Sequence, residues 1–340
     1  MKLGDISVNF AKQVFSTLND LGCEPEELQQ QFALNDSKLN QPDGRISIPR
    51  FMRLGHGAIQ LSQRPDFGIE MGKRVTIPLQ GIAGLLALTA ENLQQACEVL
   101  VHYEALSSTN SRGKSHFYLN DDGHGVSEFY SISPYNEFNR FVVDVALVGR
   151  WRMLELISGK TGAVKLLEIE YPEPTYAQLF EDLLGCRVIF GADRNALTVR
   201  REALAWTLPQ SDHNTFASLA QVCDEKLGEV TRQRKFSEQV MDEISPLLTG
   251  RTPSIEEVAQ NMGLPPWTLR RKLATDQTTF QQILNDTRRG LAESYMKDTG
   301  LTISEVSYLL GFGSPTAFQR AFKRWTGQAP GQYRTSLKSE

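Results

Sequence analysis

The sequence is poor in the residue patterns that usually carry chemistry. Its 340 residues include four cysteines, Cys23, Cys97, Cys186 and Cys223, too widely spaced to form a CxxC pair. This argues against a zinc module or a disulfide framework and suits unpaired thiols in a reducing compartment. The five histidines, His56, His102, His116, His124 and His213, show no HExxH or similar metal-ligand spacing. His116 and His124 flank a turn signal that would let the two rings approach one another. The sequence has no GxSxG, no GxxxxGKS/T and no GxGxxG behind a strand, so the usual hydrolase, phosphate-loop and dinucleotide chemistries are not expected. Long apolar runs are missing as well. The longest uncharged one, around Ile82 to Leu88, falls far short of the roughly 20 residues that span a bilayer. The N-terminal MKLGDISVNFAKQ has no apolar core of signal type and carries Asp5 early. The expectation is a cytoplasmic chain with no catalytic residue, metal, cofactor or membrane partner.

Composition is otherwise ordinary, with 40% hydrophobic and 22% charged residues, which argues against a disordered chain. The formal net charge of −4 hides an asymmetry. Residues 1–250 hold 24 basic and 32 acidic side chains, a net of −8, whereas residues 251–340 hold 12 and 8, a net of +4. A basic end on an acidic body hints at nucleic acid.

The first two-thirds read as a mixed α/β body. Val8, Ala11, Val14, Phe15, Leu18 and Leu21 recur at helical spacing up to Gly22. A second helix is expected to start near Pro25, a turn at 41–44, and further helices over 49–63 and from Thr89, as cap, to Leu106. Strands are expected at 115–120 and 125–132 around Asp121-Asp122-Gly123-His124, at 164–171, 187–190 and 196–200. Helices are expected over 137–157 and 176–184. A long helical pattern over about 212–234 suggests a linker and a candidate dimer interface. From Phe236 onward only helical patterns remain.

That last region contains an internal repeat. Ser254-Ile255-Glu256-Glu257-Val258 through Gly263 is echoed, 48 residues later, by Thr302-Ile303-Ser304-Glu305-Val306 through Gly311. Each copy opens with a hydroxyl cap and an acid three residues on, the pattern of a capping box. Each ends in Gly, which suits a tight turn between helices. A second helix follows each turn, starting at Pro265-Pro266 and at Ser314-Pro315, with an apolar stripe and an Arg-rich opposite face. This is the pattern of a helix-turn-helix, with the second helix as the reader. Two readers joined by a helix over about 280–297 could enter successive major grooves if held roughly 34 Å apart.

The C-terminal stretch resembles the AraC/XylS class of bacterial transcription regulators. Ile303, Val306, Leu310-Gly311-Phe312, Ser314, Phe318, the run Arg320 to Gly327, Pro330 and Tyr333-Arg334 carry the resemblance, which spans about residues 236–336. The N-terminal part is similar to the arabinose-binding-type domain of one branch. There the resemblance rests on Leu21-Gly22, Pro42 to Ile46, Asp66-Phe67-Gly68, Tyr176 to Cys186 and Phe190-Gly191-Ala192. It implies an α+β effector and dimerisation domain (1–210), a helical linker (211–235) and an all-α domain with two helix-turn-helix motifs (236–340). It also implies operator DNA and RNA polymerase as partners, a small-molecule effector, a homodimer, and activation more than repression, of a metabolic or adaptive operon. The alternative is a regulator whose N-terminal domain only dimerises or binds a protein partner. One departure stands out: Gln277 occupies a loop position where the family usually has Gly.

The candidate DNA-contacting residues are Pro266, Trp267, Thr268, Arg270 and Arg271 in the first unit. In the second they are Ser314, Pro315, Thr316, Gln319, Arg320, Lys323 and Arg324. Arg and Gln suit base edges, while Lys323 and Arg324 suit phosphate. Val258, Leu269, Ile303, Val306, Phe312, Phe318, Phe322 and Trp325 are expected in the core. Arg150 and Arg152, with Asp144 upstream, read either as surface pairs on a helix or as a carboxylate-binding site.

Overall fold

The computed structural model describes residues 4–41, 43–110, 114–130, 139–232, 236–248, 250–298 and 301–337. The apolar stripe near the N-terminus becomes the buried face of α1 (Val8–Asp20), which follows strand β1 (Gly4–Ser7). Ser7 accepts from the Asn9 amide and starts the helix. Helices α2 (Glu26–Gln31) and α3 (Asp36–Leu39) lead to β2 (Arg45–Ser47) and α4 (Ile48–Ser62). Next come α5 (Phe67–Lys73), α6 (Gly81–Leu88) and α7 (Leu93–His102).

Helix α7 starts later than expected. Asn92, not Thr89, caps it, accepting from the Gln95 amide at 3.0 Å. Thr89 instead closes α6, its hydroxyl donating to the Leu86 carbonyl at 2.9 Å. The helix stops at His102, and a 3-10 turn over Glu104–Leu106 follows.

Strands β3 (Ser108–Asn110), β4 (His116–Leu119) and β5 (Gly125–Phe129) precede the long helix α8 (Arg140–Ser158), which ends at Gly159 in the left-handed region. Then come β6 (Val164–Ile169), α9 (Gln178–Leu184), β7 (Arg187–Phe190), β8 (Asn195–Val199), α10 (Arg201–Leu204) and α11 (His213–Arg232). The strands form two sheets, ordered β2-β1-β3 and β4-β5-β8-β6-β7. Only the β6–β7 pair among the described strands is parallel. The small sheet was not anticipated: strands of three or four residues are too short to show alternation. Parts of the expected 125–132 strand and 137–157 helix lie outside the described residues.

The two histidines beside the β4–β5 turn do not meet. His116 lies opposite Glu128 at the open end of the hairpin. His124 sits at the turn, accepting from the Arg201 amide and lying 2.7 Å from the Lys165 ammonium.

Helix α11 packs on α6. Cys223 is fully buried there, and the Tyr103 hydroxyl donates to Asp224 at 2.7 Å. Beyond it only helices occur among the described residues: α12 (Phe236–Leu247), α13 (Ile255–Asn261), α14 (Pro266–Thr275), α15 (Phe280–Asp298), α16 (Ile303–Leu309), α17 (Pro315–Thr326) and α18 (Pro330–Leu337). The chain is thus an α+β body followed by an all-α region with two helix-turn-helix units, each part with its own apolar core. One detail crosses the division: Ile48 and Met52, on α4 of the first body, are buried in the second core.

Candidate nucleic-acid interface and candidate ligand cavity

Both helix-turn-helix units start from closed capping boxes. In the first, Ser254 accepts from the Glu257 amide at 3.1 Å, and Glu257 accepts from the Ser254 amide at 2.8 Å. In the second, Thr302 and Glu305 do the same at 3.2 and 2.7 Å. These reciprocal bonds occupy two otherwise orphaned amides at each helix start. Each first helix ends in a glycine of positive φ, Gly263 at 63° and Gly311 at 65°.

The reading helices α14 and α17 turn their apolar stripes inward. Leu269 and Leu273 are buried in one, Phe318, Ala321 and Phe322 in the other. Val258 and Val306 join the same core, while Ile303, Phe312 and Trp325 are partly buried against it. The opposite faces carry the candidate contacts. Trp267, Arg270, Arg271, Ser314, Pro315, Thr316, Gln319, Arg320, Lys323 and Arg324 are exposed, and Pro266 and Thr268 are half-buried. Trp267 is 61% exposed, and the Arg271 guanidinium lies 5.2 Å from its ring centroid. The pair forms a flat, cationic ledge near the start of α14.

Arg270 lies 3.5 Å from Glu256, an acid on the preceding helix. Arg320, Lys323 and Arg324 make no ion pair among the described residues. Gln277 adopts φ 55°, the left-handed conformation that its usual glycine would take without strain.

Sequence reasoning did not single out Arg288 on α15. Its side chain is buried and donates to the Leu310 and Gly311 carbonyls, both at 2.8 Å, and to the Thr252 hydroxyl at 2.6 Å. It also lies 4.7 Å over Phe312. Burial lowers its affinity for the proton, and the two carbonyls offset the lost hydration by hydrogen bonding. An arginine on an amphipathic helix gives no local sign of such burial.

The first body holds a partly open cavity of about 150 Å³ between α8, α4, α7 and both sheets. The three charged residues noted on α8 serve different ends. Arg152 pairs with Glu155 one turn on, at 3.3 Å, as a surface pair would. Asp144 is fully buried and takes hydrogen bonds from Tyr171 and Tyr176, and desolvation pushes its carboxyl up to about 7. Arg150 faces the cavity. It donates to Ser127 at 3.2 Å, Ser115 at 2.6 Å and Glu104 at 3.3 Å, and lies 5.4 Å from the Phe129 ring centroid. The rest of the lining is mainly apolar, including Phe51, Leu100, Val145 and Met153. Ile48 and Met52 line it too. None of the described helices is long and apolar enough to cross a membrane, and no group of three metal-ligating side chains occurs among the described residues.

Two family patterns match the chain. The arabinose-binding domain of AraC transcription regulators, N-terminal, matches residues 22–208, and a helix-turn-helix domain matches residues 258–336. The Ornithine utilization regulator of Pseudomonas aeruginosa is 26% identical over 97% of this chain and 96% of its own length. The Urease operon transcriptional activator of Escherichia coli is 35% identical over 24% of this chain and 27% of its own. Among solved structures, the transcriptional regulator CdpR from Pseudomonas aeruginosa aligns with a TM-score of 0.44 and 18% identity, over 94% of this chain and 97% of that one. The paired capping-box units and the matched N-terminal domain together place this chain in the AraC family of DNA-binding transcription regulators, which are not enzymes.

Proposed function

We propose that this regulator is a cytoplasmic homodimer that binds its operator through α14 and α17 and responds to a small-molecule effector held in the N-terminal body. The functional units are taken as residues 1–210, a connecting helical segment 211–235 and the DNA-binding residues 236–340. In each reading helix an arginine at the centre of the exposed face, Arg270 and Arg320, is the base-reading candidate. Gln319 and Arg271 flank them. Lys323 and Arg324 lie towards the end of α17 and suit phosphate. Activation as the main outcome is supported by a relative named as a transcriptional activator, and recruitment of RNA polymerase is the route by which this regulator would activate. Two subunits would set four reading helices along a direct or inverted repeat.

The observation that carries effector control is the double role of Ile48 and Met52. Both line the cavity, and both are buried in the core of the DNA-binding region. A ligand touching these side chains interacts differently with two arrangements of the regions, which is what a population shift requires.

The experiment is direct. Genomic fragments captured by the full chain define the operator, and fluorescence anisotropy measures its affinity. Arg320→Ala is expected to weaken binding by about 1–3 kcal/mol and to relax preference at one base pair. Unchanged affinity in both Arg320→Ala and Arg270→Ala would overturn the assignment of the reading faces.

A further inference from the structure

We propose that the cavity beside α8 is a receptor site for a small apolar monocarboxylate, with its carboxylate on Arg150 and an aryl or short alkyl body on the apolar walls. The inference rests on the effector-responsive reading above and names the ligand class that reading leaves open.

Size sets the first limit. An apolar cavity of about 150 Å³ accepts a benzene-sized body. Polarity sets the second. Arg150, Glu104, Ser115 and Ser127 form one hydrogen-bonded polar cluster in the lining, which also includes Gln80 and Asn139, while Phe51, Val145 and Met153 line apolar wall. A ligand with one polar head and one apolar body matches this division. A sugar carries hydroxyls all round, and each one turned to the apolar walls would be buried without a hydrogen bond, at a cost that grows with their number.

The sign of the head follows from hydrogen-bond capacity. Glu104 is already engaged: Oε1 accepts from the Ser115 hydroxyl at 2.7 Å and from Arg150 at 3.3 Å, and Oε2 from the Ser115 amide at 3.3 Å. Arg150 makes three hydrogen bonds, whereas a guanidinium carries five N–H donors. Both Nη2 protons are spent, on Ser115 and Glu104, and one Nη1 proton on Ser127, so Nε–H and the second Nη1–H are left to donate to an anionic oxygen such as a carboxylate's. Phe129 under the guanidinium and its serine partners fix that group in place. Burial penalises the bare cation, and Glu104 offsets this only in part, so a second anion is welcome there.

The test uses the full chain and isothermal titration with phenylacetate and hexanoate, set against phenylacetamide, hexylamine and L-arabinose. Both acids are expected to bind, with the amide at least about tenfold weaker because it loses the charge-assisted bonds. Arg150→Gln is expected to abolish the preference for acid over amide. Should that variant fail to fold, Ala146→Leu fills the same cavity without touching its charges, and it is expected to lose the acids. No acid binding to the native chain, equal binding of acid and amide, or undiminished acid binding by Ala146→Leu would each overturn the proposal. Operator anisotropy with the same probes separates the two claims. If hexylamine or L-arabinose shifts operator occupancy and the acids do not bind, the ligand class falls and effector control stands. If the acids bind through Arg150 and occupancy does not move, the ligand class stands and effector control falls.

Discussion

A Cβ added to Gly263 in the first unit would meet nothing within 4 Å, whereas one added to Gly311 in the second would overlap the Arg251 carbonyl oxygen. The first turn needs glycine only for its φ; the second needs it also for space. The second turn is further tied down by Arg288, and no side chain bonds the first turn's Met262–Leu264 carbonyls among the described residues. Helix α17 is capped by Ser314, which accepts from the Ala317 amide at 3.2 Å, whereas Pro265 provides no side-chain cap for α14. At the far ends, Gly327 takes φ 79° without strain and Gln277 takes φ 55° with it. The same sequence repeat thus builds one tightly anchored reader and one lightly held one, with Arg270 of the latter beside its own acid, Glu256.

The largest expected effect tests the turns. Gly311→Ala should cost about 3 kcal/mol or more, because backbone must move, against about 1 kcal/mol for Gly263→Ala, where only φ is strained. Denaturant unfolding of each variant measures both, and equal losses would break the comparison. Next, Arg288→Ala should destabilise by about 2–3 kcal/mol, since it strands the buried Leu310 carbonyl and leaves the Gly311 carbonyl only the Thr252 hydroxyl at 3.3 Å. A loss within experimental error would mean that water replaces the guanidinium. Third, operator anisotropy should fall further for Arg320→Ala than for Arg270→Ala, because Arg270 must first leave Glu256. Glu256→Gln should then tighten operator binding, by no more than about 1 kcal/mol, as exposed pairs are weak and screened by salt. An unchanged or weakened affinity in Glu256→Gln would remove this distinction between the readers. The smallest effect is Gln277→Gly, expected to stabilise by about 0.5–1 kcal/mol through relief of the left-handed strain. A thermal melt that drops instead would show that the Gln277 side chain contributes more than its backbone costs.

What could be read from the sequence follows the range of the interactions. The capping boxes at Ser254 and Thr302, the turn glycines and the buried stripe of Phe318 and Phe322 all depend on neighbours within one or two turns, so spacing alone reveals them. Local competition between caps is harder: Thr89 and Asn92 are both good cap residues, and only the packed structure assigns the start of α7 to Asn92. The β1–β3 pairing, which matches Asp5 with Thr109, and the anchoring by Arg288, which reaches carbonyls 22 and 23 residues away, are invisible to periodicity. Arg150 lies between these cases. Its residue type suggested a carboxylate site, but its neighbour Arg152 fits the ordinary surface pattern, and nothing local distinguishes the two.

The placing of Ile48 and Met52 carries a thermodynamic obligation. Where one ligand alters the affinity of another, the second must alter the first by the same factor. If an occupant of the cavity changes operator affinity, the operator must change the affinity for that occupant equally, so each bound site would tune the concentration at which its own signal is sensed. Promoters of different strength would then report different effector thresholds through one and the same protein.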